Sequence, residues 1–240
     1  MNIALISEYL ETYQGRDKFL RTLSYVAKFA TFGTSSEDTE KKLKTFSSQM
    51  SGCRVILRLL DDIPVIHHAM IYGYGKEEPD WLIRWTELMQ IAVDIIYCPI
   101  EHVYWAGEHK LIKINTKTWD NASTLFWILS LHLSLLKYAK LTIKNLFILL
   151  FILLLNFIPR KIDFCFNRAA LTTISEQRWN ELLTCTRLIL DISFAISYLP
   201  NGIFWGGKLK MWHVGALGSL SSLIGLYQAL CKRAEQKKYS

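Results

Sequence analysis

Two adjacent carboxylates, Asp61 and Asp62, and the histidines that follow, His67 and His68, are the first residues whose types invite proton transfer or metal binding. Neighbouring residues of a helix project about 100° apart, so the two carboxylates do not converge, and no ligand set with the histidines emerges. A charged helix end before Ile63-Pro64 is the expected role. Glu101, His102 and His109 form a second cluster, but their spacing fits no helical zinc pattern. The five cysteines, Cys53, Cys98, Cys165, Cys185 and Cys231, are widely spaced and contain no C-x-x-C pair, which points to reduced thiols. A nucleophilic enzyme needs a base beside its nucleophile, and no G-x-S-x-G or comparable signature is present. The residues predict no catalysis, no metal and no cofactor.

The elements that carry these residues are apolar. Of 240 residues, 51% are hydrophobic, and the mean hydropathy of +0.17 exceeds what one soluble core normally needs. A net charge of +7 suits nucleic acid or anionic lipid; the apolar runs decide for lipid, and no nucleic-acid motif appears. Residues 1–20 hold Glu8, Glu11 and Asp17 and read as no cleaved secretory signal.

Gly15 to Ala30 reads as a helix with Phe19, Leu20, Leu23, Val26, Ala27 and Ala30 on one side. In the next helix Leu43, Phe46, Met50, Cys53, Leu57 and Leu60 recur alternately three and four apart, a single apolar stripe, with Lys44, Arg54 and Arg58 broadly opposite. Two readings follow. The stripe is the core side of a bundle, or it wedges into lipid while the basic face meets anionic headgroups. Trp81 to Ile96 and Trp179 to Tyr198 read as further helices. Asn121 to Leu136 is a first spanning candidate, and Asn145 to Pro159 a shorter apolar run. Met211 to Cys231 carries no formal charge, is bracketed by Lys208, Lys210, Lys232 and Arg233, and suffices to cross roughly 30 Å of hydrocarbon. Gly218, Ser221, Ser222, Gly225 and Ala229 give it a small-residue face for close packing with another helix, including one of a second copy. Before each spanning candidate stands a similar series, Asp94, Pro99, Trp105, Gly107 and then Asp191, Pro200, Trp205, Gly207. It predicts the same device twice: a helix stopped by proline, a tight elbow and a crossing. Lys237 and Lys238 have the spacing of a dilysine signal read by cytosolic coat complexes.

Four blocks carry a family resemblance: Y-Q-G-R-D-K-F-L-R-T-L from Tyr13, C-R-V-I-L-R-L-L-D-D from Cys53, Y-C-P-I-E-H-V-Y-W-A-G from Tyr97, and the stretch from Tyr198 to Cys231. In this order they resemble the peroxisomal membrane protein 11 family, especially its gamma type; Asn145 to Pro159 and the following R-K-I-D-F-C-F-N lie outside the resemblance. The family implies an all-α integral membrane protein with amphipathic helices and at least two transmembrane helices. Residues 1–118 form the cytosolic or interfacial amphipathic-helical region, 119–140 the first transmembrane helix, 141–210 an intervening segment, 211–231 the second crossing and 232–240 a basic cytosolic tail. Both termini are then cytosolic. The implied function is elongation and fission of peroxisomes, with anionic lipids, further copies, family paralogues, a fission adaptor and a dynamin-related GTPase as partners. The alternative is a pore or transporter for small metabolites.

Overall fold

Thr12 starts the first long helix: its side-chain oxygen accepts a hydrogen bond from Gly15 N at 3.1 Å, which satisfies one of the amides that a helix start leaves open. Over residues 3–156 and 164–239, which this computed structural model describes, the chain forms α1 (Ile3–Leu10), α2 (Tyr13–Ala30), α3 (Glu37–Arg58), α4 (Asp62–Tyr72), α5 (Trp81–Glu108), α6 (Thr116–Asn156), α7 (Phe164–Ala195) and α8 (Met211–Tyr239). Ser36 caps α3 and Asp80 caps α5. Glu37, Asp38 and Glu40 crowd the first turn of α3, where carboxylates favour the positive end of the helix dipole.

The long helices run up and down. Arg21 of α2 reaches Ser221 of α8, while Gly218 and Gly215 lie against Tyr25 and Phe29, so the two are antiparallel. Pairing of Ser24 with Ser47 and of Asp17 with Arg54 sets α3 antiparallel to α2. Glu87–Lys137 with Gln90–Ser130 does the same for α5 and α6, Asn145–Glu181 with Thr142–Cys185 for α6 and α7, and Asp191–Ser221 with Gln228–Thr184 for α7 and α8. Contacts between Arg58 and Glu101 and between His102 and the Leu59 carbonyl join α3 to α5. Both terminal segments meet at one end, where Lys237 Nζ lies 2.6 Å from Glu8 Oε1.

The interior is unusually polar. Among the described residues two small apolar clusters exist, Tyr25–Phe194–Val214 and Ile192–Ile196–Leu199. Ser24, Ser47, Thr86, Glu101, Asp191 and Ser221 are buried beside them, whereas Leu60, Ile63, Met70, Trp81, Leu125, Phe147, Leu220 and Leu223 are exposed. On α2 the inward face is Arg21, Ser24, Tyr25 and Lys28, while Phe19 and Val26 of its apolar side point outward. The tightest junction lies between α2, α7 and α8. Asp191, 3% exposed, accepts from Arg21 Nη2 at 2.5 Å and from Ser221 Oγ at 2.5 Å. A Cβ on Gly215 would sit 2.2 Å from Phe29 N, so only glycine admits the α2 backbone.

Several expectations are corrected. Asp61 and Asp62 open α4 instead of ending α3, since Pro64 fits a first helical turn, where its missing N–H leaves no bond unmade. Pro99 does not stop α5, which continues to Glu108; before Pro200 the chain does leave the helix, and Gly207 turns with φ +69°. Of the at least two crossings expected, the structure supports one and leaves the other unshown: among the described residues α8, over Met211–Lys237, is the one helix long and apolar enough to cross a membrane. The segment 119–140 lies inside α6, where Ser130, Ser134, Lys137 and Lys140 interrupt the apolar run to bond α5. Asn145–Asn156 continues that same 41-residue helix, about 60 Å long at 1.5 Å per residue, and Phe157 to Pro159 lie outside the described residues. The tail beyond Cys231 prolongs α8.

Breaking a buried pair leaves an uncompensated charge and costs about 3–5 kcal/mol. Arg21→Met or Asp191→Leu alone should therefore lower the melting temperature sharply, and the double variant should recover part of the loss. Thermal unfolding of detergent-purified protein checks this.

Candidate membrane-contact surface

Four polar positions of α3, Ser47, Ser51, Arg54 and Arg58, turn inward. Ser47, fully buried, and Ser51 hydrogen-bond Ser24 of α2 at 3.0 and 2.8 Å. Arg54 pairs with Asp17 at 2.8 Å and Arg58 with Glu101 at 2.5 Å. The apolar stripe consequently faces out: Phe46, Cys53 and Leu60 are exposed, Leu43, Met50 and Leu57 half-buried, and Ile56 joins them outside. The core-side reading of this stripe does not describe the fold. The basic half of the lipid reading changes too, because Arg54 and Arg58 are spent on carboxylates of α2 and α5, and Lys44 pairs along its own helix with Glu40.

Beyond α3 the surface continues onto α4, which the sequence reading passed over. Ile63, Ile66, Met70 and Ile71 are exposed, and Ile63 and Met70 are among the most exposed large apolar side chains of the chain at 77% and 73%. Its signal was present: around His67 and His68 the segment is apolar on every side. On the inner side His68 Nε2 lies 3.2 Å from Glu87 of α5, and burial pushes the neighbouring Asp94 carboxyl above its usual range against hydrogen bonds from Gln90 and Ser130.

The small-residue face of α8 is occupied within the chain. Gly218 takes the Tyr25 ring, Ser221 binds Asp191, Ser222 is buried, and Gly225 abuts Arg187. Gly215, absent from the expected set, makes the closest backbone approach; its spacing of three from Gly218 was the available sign. A second copy would reach this face only after α2 had left it, whereas Leu220, Leu223 and Tyr227 are free on the other side. Ala229 borders a basic cavity near Lys232. Lys237 is engaged by Glu8, whose carboxyl this bond holds below its usual range; the Lys238 side chain lies outside the described residues. Glu101, His102 and His109 do not converge: Glu101 binds Arg58 and Tyr97, while His102 bridges the Cys98 and Leu59 carbonyls.

Residues 3–230 match the family described as Peroxisomal biogenesis factor 11 (PEX11). Peroxisomal membrane protein 11C of Homo sapiens is 30% identical over 234 residues, which cover 93% of this chain and 92% of that protein. Its Mus musculus counterpart is 28% identical over 237 residues, 94% of this chain and 93% of that protein. No solved structure matches.

Arg54→Gln and Arg58→Gln should each destabilise the fold, since each leaves a partly or wholly buried carboxylate without its partner, at about 1–3 kcal/mol. Lys41→Gln with Lys42→Gln should leave the melting temperature unchanged, because exposed pairs along one helix contribute little. Parallel melting curves of the two sets distinguish structural from surface cations.

Proposed function

The chain belongs to the peroxisomal biogenesis factor 11 family and is a peroxisomal membrane protein; from that premise we propose that it shapes the peroxisomal membrane, promoting protrusion, elongation and fission. The observation that carries the proposal is the outward apolar set of α3, Phe46, Cys53, Ile56 and Leu60, continued by α4, while Ser47, Ser51, Arg54 and Arg58 hold α3 to the bundle. Such a surface is unfavourable in water and favourable in lipid, at about 25 cal/mol per Å² of apolar area covered.

Asymmetry follows from α4. It prolongs α3 at the end of the bundle that holds both termini, and the helices are joined at the other end by the shorter connections 31–36, 109–115 and 199–210. Extra apolar area inserted into one leaflet expands that leaflet and bends the bilayer towards it. With α8 and α6 as the two crossings, the Glu8–Lys237 contact supports termini on one side, and the family resemblance makes that side cytosolic. Within the family we assign the chain to the gamma type, on the four sequence blocks. Oligomers with itself and with paralogues would use the outer face of α8, and a fission adaptor with a dynamin-related GTPase would complete division. A coat complex reading Lys237 and Lys238 would first have to release Lys237 from Glu8.

One observation favours the alternative, a small-metabolite pore. Between α2, α3, α5 and α6 lies a polar cavity of about 330 Å³ bordered by Lys28, Arg54, Arg58, Glu101, Tyr104 and Asp120.

Phe46→Glu with Leu60→Glu touches only the outer stripe and should preserve helicity and melting temperature while abolishing tubulation of anionic vesicles by the full-length protein. Unchanged tubulation would remove α3 from the mechanism, and solute flux without tubulation would favour the pore.

A further inference from the structure

Where α8 leaves its apolar stretch, the elbow between α1 and α2 folds against it and leaves a cavity of about 580 Å³. Lys18, Lys232 and Arg233 border it, and no carboxylate does. Two of the nearby acids are already engaged, Asp17 by Arg54 at 2.8 Å and Glu8 by Lys237 at 2.6 Å. Among the described residues, none of the three cavity cations forms an ion pair of its own. Burial, with the like charge of Arg187 adding to it, presses the Lys18 ammonium below the usual lysine range, against the attraction of Asp17. Tyr9 adds an independent sign. Tyr9 is 6% exposed and borders the same cavity, and its hydroxyl, buried from solvent beside it, has no hydrogen-bond partner. A buried hydroxyl left unsatisfied costs about 1–3 kcal/mol, which a ligand oxygen would recover. The amino end of α2 also borders the cavity through Thr12, Tyr13 and Gln14, and the first-turn N–H groups of a helix favour anions. Ala229 keeps the opening clear because its side chain is a single methyl.

We propose that this cavity binds a phosphate group, held by Lys18, Lys232 and Arg233 with the Tyr9 hydroxyl completing its hydrogen bonds. The group would come from the headgroup of an anionic phospholipid or from a soluble phosphate. Headgroup depth is where a site at the end of α8 lies if α8 crosses the membrane, a placement that rests on the function proposed above; the charge argument does not.

The test uses the full-length chain in neutral detergent with a fluorescent phosphatidate. Saturable binding, displaced by unlabelled phosphatidate and not by phosphatidylcholine, is the expected result. Displacement by inorganic phosphate as well would identify a soluble phosphate as sufficient; failure of phosphate to displace would identify the lipid as the source. Absence of binding by both probes would overturn the site. Lys18→Gln with Arg233→Gln should weaken binding roughly thirtyfold, and Lys41→Gln with Lys42→Gln, the same charge loss at the other end of the bundle, should not. Equal weakening would mean diffuse attraction and would also overturn it. Tyr9→Phe preserves packing and should weaken binding severalfold, so the proposal stays open to refutation even if the double variant misfolds. Carbonate extraction of membranes reads the crossing of α8 separately from all of these.

Discussion

The buried junction of Arg21, Asp191 and Ser221 is the contact on which the arrangement depends. If the outer surface of this bundle lies in lipid, as proposed, burying leucine against leucine gains little, because the lipid chains are equally apolar. Association must then come from close packing and from polar groups that find partners inside. Asp191 receives two hydrogen bonds at 2.5 Å from two other helices, and Gly215 and Gly218 bring α8 near enough to α2 for those bonds to form. The lower local dielectric strengthens the attraction and equally raises the cost of leaving any member unpaired. Other junctions repeat the pattern more weakly: Asp94 with Gln90 and Ser130 between α5 and α6, Ser24 with Ser47 and Ser51 between α2 and α3.

The polar interior is what frees the apolar stripes. Because α3 holds to α2 and α5 through serines and arginines, Phe46, Cys53 and Leu60 are not needed for the core and remain available to the bilayer. A soluble bundle with the same periodicity would use these residues inside. The family membership and the outward apolar residues support the proposed membrane-shaping function from independent directions.

Helix periodicity showed in the sequence wherever one face was consistently apolar, as on α2 and α3, and α8 was legible as a candidate crossing from its length and charged brackets. The direction in which each stripe points was not legible. It depends on pairs such as Arg58 with Glu101 and Arg21 with Asp191, remote in sequence and invisible to any local pattern. Pro99 misled because proline ends a helix only where no neighbouring packing sustains it. The weak repeat had a different content from the elbow it predicted: Asp94 and Asp191 each stand on the first helix of an antiparallel pair and bond a serine of the second, Ser130 and Ser221. The outward apolar surface of α4 was not legible because an apolar segment without a polar face carries no periodic signal.

The central claim is that α3 faces lipid with its apolar stripe and protein with its serines and arginines. Spin labels placed singly along residues 43–60 of the bilayer-reconstituted protein, read by oxygen collision rate, measure that orientation directly. The account predicts a helical period with maxima at Phe46, Cys53 and Leu60 and minima at Ser47, Ser51 and Arg54; maxima at Ser47, Ser51 and Arg54 would contradict it.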